Sequence, residues 1–229
     1  MGQFHDRESI SFPPAVNYRF AVAHSPFTSL LQQDLHTLEG NLRQLLKGHL
    51  DQKTHRSLLN MACGRADETG VLARVLSDST AELEIHGLDI RAAEITQAQS
   101  RWSKDLEKMS ACGDFGDGKV QAKFQTQRGD RLRDLRELSS PDLAFLRHQN
   151  FWNDVPVWRQ IFEQSLERLN EDGLLVITSY FDQEHELAVN ALLEMGAIQV
   201  SSLSNAHSRK LSDAPGKSVD RHLAVFRKG

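Results

Sequence analysis

Leu58-Leu59-Asn60-Met61-Ala62-Cys63-Gly64-Arg65-Ala66-Asp67 carries a short apolar segment into a glycine-containing turn, and a helical pattern with Val71, Leu72, Val75 and Leu76 on one face follows at once. A brief apolar run bounded by turn residues reads as a buried strand, and recurrence at three- and four-residue steps reads as one face of a helix. The stretch is therefore strand, tight turn, helix. Gly64 lets the turn close, and the N–H groups at the start of the helix then face whatever lies beyond the strand, at the positive end of the helix dipole.

The same alternation continues to the end of the chain. Strands are predicted over residues 57–62, 82–88, 119–125, 142–146, 173–179 and 222–227, with a fainter seventh over 197–203. Between them lie helical faces carrying Ile95, Trp102 and Leu106, then Trp158, Ile161, Phe162 and Leu166, then Leu187, Ala191, Leu192 and Met195. Strands and amphipathic helices in alternation build a parallel sheet covered on both faces. Residues 204–220 between the last two strands are polar and lack a helical period, so those strands should pair antiparallel, because a parallel return needs a crossover. The expected fold is a Rossmann-like three-layer α/β sandwich with a mostly parallel seven-stranded sheet, an antiparallel terminal strand and an N-terminal helical extension.

Upstream, the stretch through Pro13, Pro14 and Tyr18 has no sustained period and reads as an arm. A helix follows, with Ser25 suited to the cap, Pro26 to the first turn, and Leu30, Leu31, Leu35, Leu38, Leu42, Leu45 and Leu46 on one stripe. Gly40 marks a point where that helix can break. Residues 1–56 are thus expected to form an arm and helix of the same domain, and residues 57–229 its α/β body. A length of 229 residues and a 39% apolar fraction suit one domain with a continuous core.

Composition narrows the function. No apolar run approaches the roughly 20 residues of a membrane span, and the polar start lacks a secretory pattern, so a soluble cytoplasmic protein is expected. Cys63 and Cys112 cannot make a disulfide framework, and the ten histidines show no i, i+4 pair or cysteine partner at zinc spacing, so no metal site is expected. A net charge of −4 argues against nucleic acid as a partner. Arg128, Arg131, Arg133 and Arg136 are interleaved with Asp130, Asp134 and Glu137, which reads as a solvated, ion-paired face.

Ligands of open parallel sheets bind beyond the carboxyl ends of the strands. The second strand ends in His86-Gly87-Leu88-Asp89-Ile90, and a carboxylate at that place can accept both hydroxyls of a ribose. With the turn at Cys63 and Gly64, this resembles the class I S-adenosylmethionine-dependent methyltransferase family, in which a strand enters a C-G-x-G-like turn and the next strand ends in an acid. Gln127-Arg128-Gly129-Asp130 resembles that family's G-D segment. Residues 169–176 (Leu-Asn-Glu-Asp-Gly-Leu-Leu-Val) resemble its L-x-x-G-G-x-L run, and residues 191–197 resemble the helix, glycine and short strand before its terminal hairpin. The similarity covers most of residues 57–227. It implies a methyl-donor site, with S-adenosyl-L-methionine as cofactor, built by Asn60, Ala62, Cys63 and Gly64 of the turn and by Asp89 and Ile90. Gly129, Asp130 and Arg147 complete it.

Three positions depart from the family pattern: Asn60 stands where an acid is usual, and Ala62 and Ala66 stand at glycine positions. Asn60 carries no charge for the donor's amino group, a role open to Glu68 or Asp67. Ala66 costs about 1 to 2 kcal/mol if its backbone must be left-handed. Beyond the fourth strand, Arg147-His148-Gln149-Asn150-Phe151-Trp152 occupies the place where the family meets its methyl acceptor. His148 is the candidate proton acceptor, since its ordinary pKa lies near neutrality. Tyr18, Asn150 and Trp152 are candidates to bind the acceptor, for which a small molecule is expected. Two other readings stay open. One is a non-catalytic relative that binds a metabolite or partner. The other is a nicotinamide-dependent oxidoreductase, although A-C-G-R-A-D lacks the G-x-G-x-x-G fingerprint.

Overall fold

The computed structural model describes residues 26–112, 119–135 and 138–229. The arm, with Tyr18, lies outside them. The described residues form a seven-stranded sheet in the order β3-β2-β1-β4-β5-β7-β6. Its strands are β1 (Lys53–Met61), β2 (Thr80–Asp89), β3 (Lys119–Thr126), β4 (Leu143–Leu146), β5 (Leu174–Ser179), β6 (Ile198–Ser204) and β7 (His222–Arg227). β1 to β5 run parallel, and β7 lies antiparallel between β5 and β6. The expected antiparallel ending is therefore present, and the last strand is inserted inside the sheet.

Two helical layers cover the sheet. Helices α1 (Pro26–Leu46), α2 (Thr69–Ser77) and α3 (Ala92–Cys112) bury Leu38, Leu42, Leu72, Leu76, Ile95 and Trp102 against Leu58, Ile85, Phe124, Phe145 and Val176. Helices α4 (Val155–Arg168) and α5 (Asp182–Glu194) bury Phe162, Leu166, Ala188 and Leu192 against Leu59, Met61, Leu146, Ile177 and Phe226. The strand residues alternate between the two cores, as the period of two requires. α1 runs unbroken through Gly40, since its leucine stripe on the sheet outweighs the roughly 1 kcal/mol that one glycine costs a helix. It is part of the sandwich and no mere extension. β1 begins four residues earlier than its apolar run, because Lys53, Thr54 and His55 are held by the ladder to β2 and not by burial.

One clamp aligns the amino ends of the central strands. Asp142, 7% exposed, accepts from Lys53 Nζ at 2.6 Å, from the Ser57 N–H at 2.8 Å and from Asn170 Nδ2 at 2.6 Å, joining the segments that open β1, β4 and β5. At the carboxyl ends the turn after β1 is left-handed at Ala62 (φ 51°), Gly64 (φ 55°) and Ala66 (φ 53°). Alternate residues of this turn thus sit where a Cβ is disfavoured, and two of the three carry one.

Because Ala62 is exposed, Ala62→Gly should relieve strain without losing burial and raise unfolding stability by about 0.5 to 1 kcal/mol in urea titration. Ala66 is buried, so Ala66→Gly should gain less. Glu184, in the first turn of α5, is raised to about 7 by burial, which outweighs the hydrogen bonds it accepts from the Tyr180 and Phe181 N–H groups. A folded-state pKa above the unfolded one stabilises fully below pH 4.5, and that stability is lost as pH rises through 7. Relative to the parent, Glu184→Gln should therefore gain in melting temperature between pH 4.5 and pH 8; an equal difference at both would refute the assignment.

Candidate functional site

The carboxyl ends of β1, β2, β4 and β5 open on one side of the sheet, and the residues singled out in the sequence meet there in two groups. The first joins β1 to β2. The Cys63 N–H donates to the Leu88 carbonyl at 3.0 Å, and the Gly64 N–H donates to Asp89 Oδ2 at 2.8 Å. Gly64 and Asp89 are thus brought together, although 25 residues separate them. Burial pushes the Asp89 carboxyl up, but hydrogen bonds from Arg91 and Gly64 outweigh this and leave it below its ordinary value. Cys63 is buried beside Glu68 and Asp89, and all three effects drive its pKa far upward, so the thiol stays protonated and inert. Ile90, by contrast, is 62% exposed and offers an apolar surface at the rim.

The second group is a buried set of charges between β1, β4 and β5. Asn60, fully buried, donates from Nδ2 to Glu68 Oε1 at 2.6 Å, while its Oδ1 has no partner among the described residues. Glu68 Oε2 lies 3.6 Å from Arg147 Nη1, and Arg147 forms a fork with Asp220 at 3.0 and 2.6 Å. Asp220 also accepts from Thr178 Oγ1 at 2.9 Å and lies 2.8 Å from His148 Nε2. The Asp220 N–H also donates to His148 Nε2 at 3.3 Å, so that ring nitrogen faces both a donor and the carboxylate of the same residue. Burial lowers the His148 pKa against the pull of Asp220, whose own pKa is held low by Arg147 and His148 despite burial. The imidazole stacks on Tyr180 at 3.8 Å between centroids, and Tyr180 is pushed up to about 12 by burial.

Asp220 comes from the connection between β6 and β7. That connection folds back on itself through Lys210 and Ser218 and hydrogen-bonds to the Tyr180 and Ser179 carbonyls at 3.1 and 2.8 Å. Arg209 ties it to Asp34 of α1 through a fork at 2.9 and 2.5 Å. It forms a fixed wall over the ends of β4 and β5.

The remaining expected residues sit around the rim. Gly129 opens a 3-10 turn (Gly129–Asp134), and a Cβ there would lie 2.9 Å from Met61 Cε, the end of a side chain that would have to shift. The Asp130 carboxylate is taken by Arg128 at 3.0 and 2.6 Å. Asn150 is exposed, and Trp152, 39% exposed, packs on Phe181 with centroids 4.8 Å apart. Three partners escaped the sequence reading: Arg91, Asp220 and Tyr180. No pattern in the sequence singles out Arg91, and Asp220 lies in the polar stretch 204–220, 73 residues from its partner Arg147.

No family model and no curated protein sequence matches the chain. Solved structures do resemble it. A magnesium protoporphyrin IX methyltransferase from Synechocystis PCC 6803 with bound S-adenosylmethionine superposes with a TM-score of 0.56 at 13% identity, covering 95% of this chain and 87% of that one. A precorrin-6y C5,15-methyltransferase from Geobacter metallireducens GS-15 gives 0.52 at 12% identity, covering 88% of each. An S-adenosylmethionine-dependent methyltransferase from Clostridium acetobutylicum ATCC 824 gives 0.51 at 10%, covering 87% and 92%. Strand order, the inserted antiparallel β7 and these superpositions agree: the chain has the fold of the class I S-adenosylmethionine-dependent methyltransferases.

Proposed function

We propose that the chain is an S-adenosylmethionine-dependent methyltransferase acting on a small-molecule acceptor by direct in-line transfer. The observation that carries this reading is the 2.8 Å bond from the Gly64 N–H to Asp89, at a bend with three left-handed residues on the carboxyl side of a parallel sheet. The fit is supported by the fully buried Asn60 Oδ1, which has no partner among the described residues and is an acceptor that an amino group would satisfy. Glu68 beside it carries the negative charge that Asn60 lacks.

When bound, the donor supplies a methyl group already activated on a sulfonium, so the protein's tasks are alignment, exclusion of water and proton removal. Asp89 holds the ribose, Ile90 offers the apolar face for the base, and Gly129 and Asp130 stand at the adenine end. Asn60, Ala62, Cys63 and Gly64 hold the amino-acid end with Glu68 and Arg147. His148, its pKa lowered by burial, stays unprotonated at neutral pH and is the group placed to take a proton from the acceptor. Asn150 and Trp152 at the rim, beside Phe181, meet the acceptor. Among the described residues no helix is long and apolar enough to cross a membrane.

A second reading, a binding protein without catalysis, is favoured by the buried ion pairs that fill the floor between β1 and β4 and by the alanines at two left-handed positions. Calorimetry separates the readings. S-adenosylhomocysteine should bind and NADH should not, and Asp89→Ala should weaken S-adenosylhomocysteine at least about tenfold, the effect of losing shielded charge-assisted bonds. Unchanged affinity in a variant that still melts cooperatively would refute the ribose assignment. Binding without consumption of donor across acceptor pools would favour the non-catalytic protein.

A further inference from the structure

The Asp89 carboxylate has about four lone-pair sites, and four donors already fill them. Oδ1 accepts from the Arg91 N–H at 2.9 Å and from Arg91 Nε at 3.0 Å. Oδ2 accepts from the Gly64 N–H at 2.8 Å and from Arg91 Nη2 at 3.2 Å. A Cβ built on Gly64 would lie 3.1 Å from Arg91 Nη2, so the guanidinium lies over the glycine bend as well as on the acid. The two backbone donors are fixed by β1 and by the start of α3. The guanidinium is not, because its side chain is 58% exposed.

We infer that Arg91 competes with the ribose hydroxyls for Asp89, so that a ribose bonds to the acid only once the guanidinium has left it. This rests on the donor-site reading above. A ribose that donates two hydroxyl protons to Asp89 replaces the Arg91 Nε and Nη2 bonds and leaves the two backbone bonds intact. The displaced guanidinium has a second carboxylate at hand, since Arg91 Nη1 lies 3.7 Å from Glu94 Oε1 in the first turn of α3. Arg91 therefore sets the affinity of the site by a local exchange of partners, without movement of the backbone.

The test uses adenosine, S-adenosylhomocysteine and 2′,3′-dideoxyadenosine with the full chain. Adenosine carries no net charge, so removal of a nearby cation does not by itself alter its attraction to the site. Arg91→Ala should tighten adenosine and S-adenosylhomocysteine about 1.5-fold to fivefold, the range set by releasing an exposed ion pair. It should leave dideoxyadenosine unchanged, and in an Asp89→Ala background it should change none of the three. With the unmodified protein, raising the salt concentration should tighten adenosine, because an exposed ion pair is screened while ribose hydrogen bonds are not. Equal or weaker adenosine binding in Arg91→Ala, with no salt effect in the parent, overturns the competition while leaving the donor site standing. Gains for dideoxyadenosine as large as for adenosine also overturn it. Failure of every nucleoside to bind the parent and Arg91→Ala alike overturns the donor-site reading, and the competition with it.

Discussion

The position of the Asp89 carboxylate governs the strand-end mouth. It crosses from β2 to receive the Gly64 N–H of the turn after β1, and it receives the Arg91 N–H from the start of its own following helix. Those two bonds fix the start of α3 and the path of the chain between β1 and α2. The left-handed residues then follow from geometry, because a chain that must leave a buried strand, pass a neighbouring carboxylate and enter a helix within a few residues has to reverse its backbone. A side chain at Ala62 or Ala66 is tolerated because the surrounding bonds over-determine the turn.

A different logic holds the floor. Glu68 and Asp220, both buried, share the single guanidinium of Arg147, with His148 kept neutral by desolvation. Removing one member of such a set leaves an uncompensated charge out of water, which costs more than the pair contributes when complete. The set therefore works as a specification of geometry. It fixes the end of β4, the His148 ring and the β6–β7 connection relative to one another, and Tyr180 closes the arrangement by stacking on that ring.

The architecture was legible in the sequence because it is written in apolar period. Leu58, Leu59, Phe145, Val176 and Phe226 lie in strands where their apolar runs predict them, and the unpatterned stretch before the last strand announced the antiparallel pair. The start of β1 was not legible, since Lys53 to His55 are polar and are held by the ladder and by the Lys53–Asp142 contact, neither of which leaves an apolar period. The turn and its acid were legible as a juxtaposition, from the position of each just beyond a strand. What occupies the acid was not. Arg91 meets Asp89 across a bend at Ile90, and Arg147 meets Asp220 across a sheet, so neither pairing leaves a period in the sequence.

Strand β7 has a bearing on how the chain comes to this state. It lies between β5 and β6, with Val176 opposite Val225 on one side and Leu203 opposite Leu223 on the other. Until residues 222–227 have been synthesised, β5 is a strand with four apolar residues in a row and a bare edge, the kind of surface that recruits other chains. The sheet cannot close during translation from its amino end, and Arg147 and His148 wait with it, since their carboxylate arrives only two residues ahead of that strand. A nascent chain halted before His222 therefore leaves that edge open to pairing with other chains.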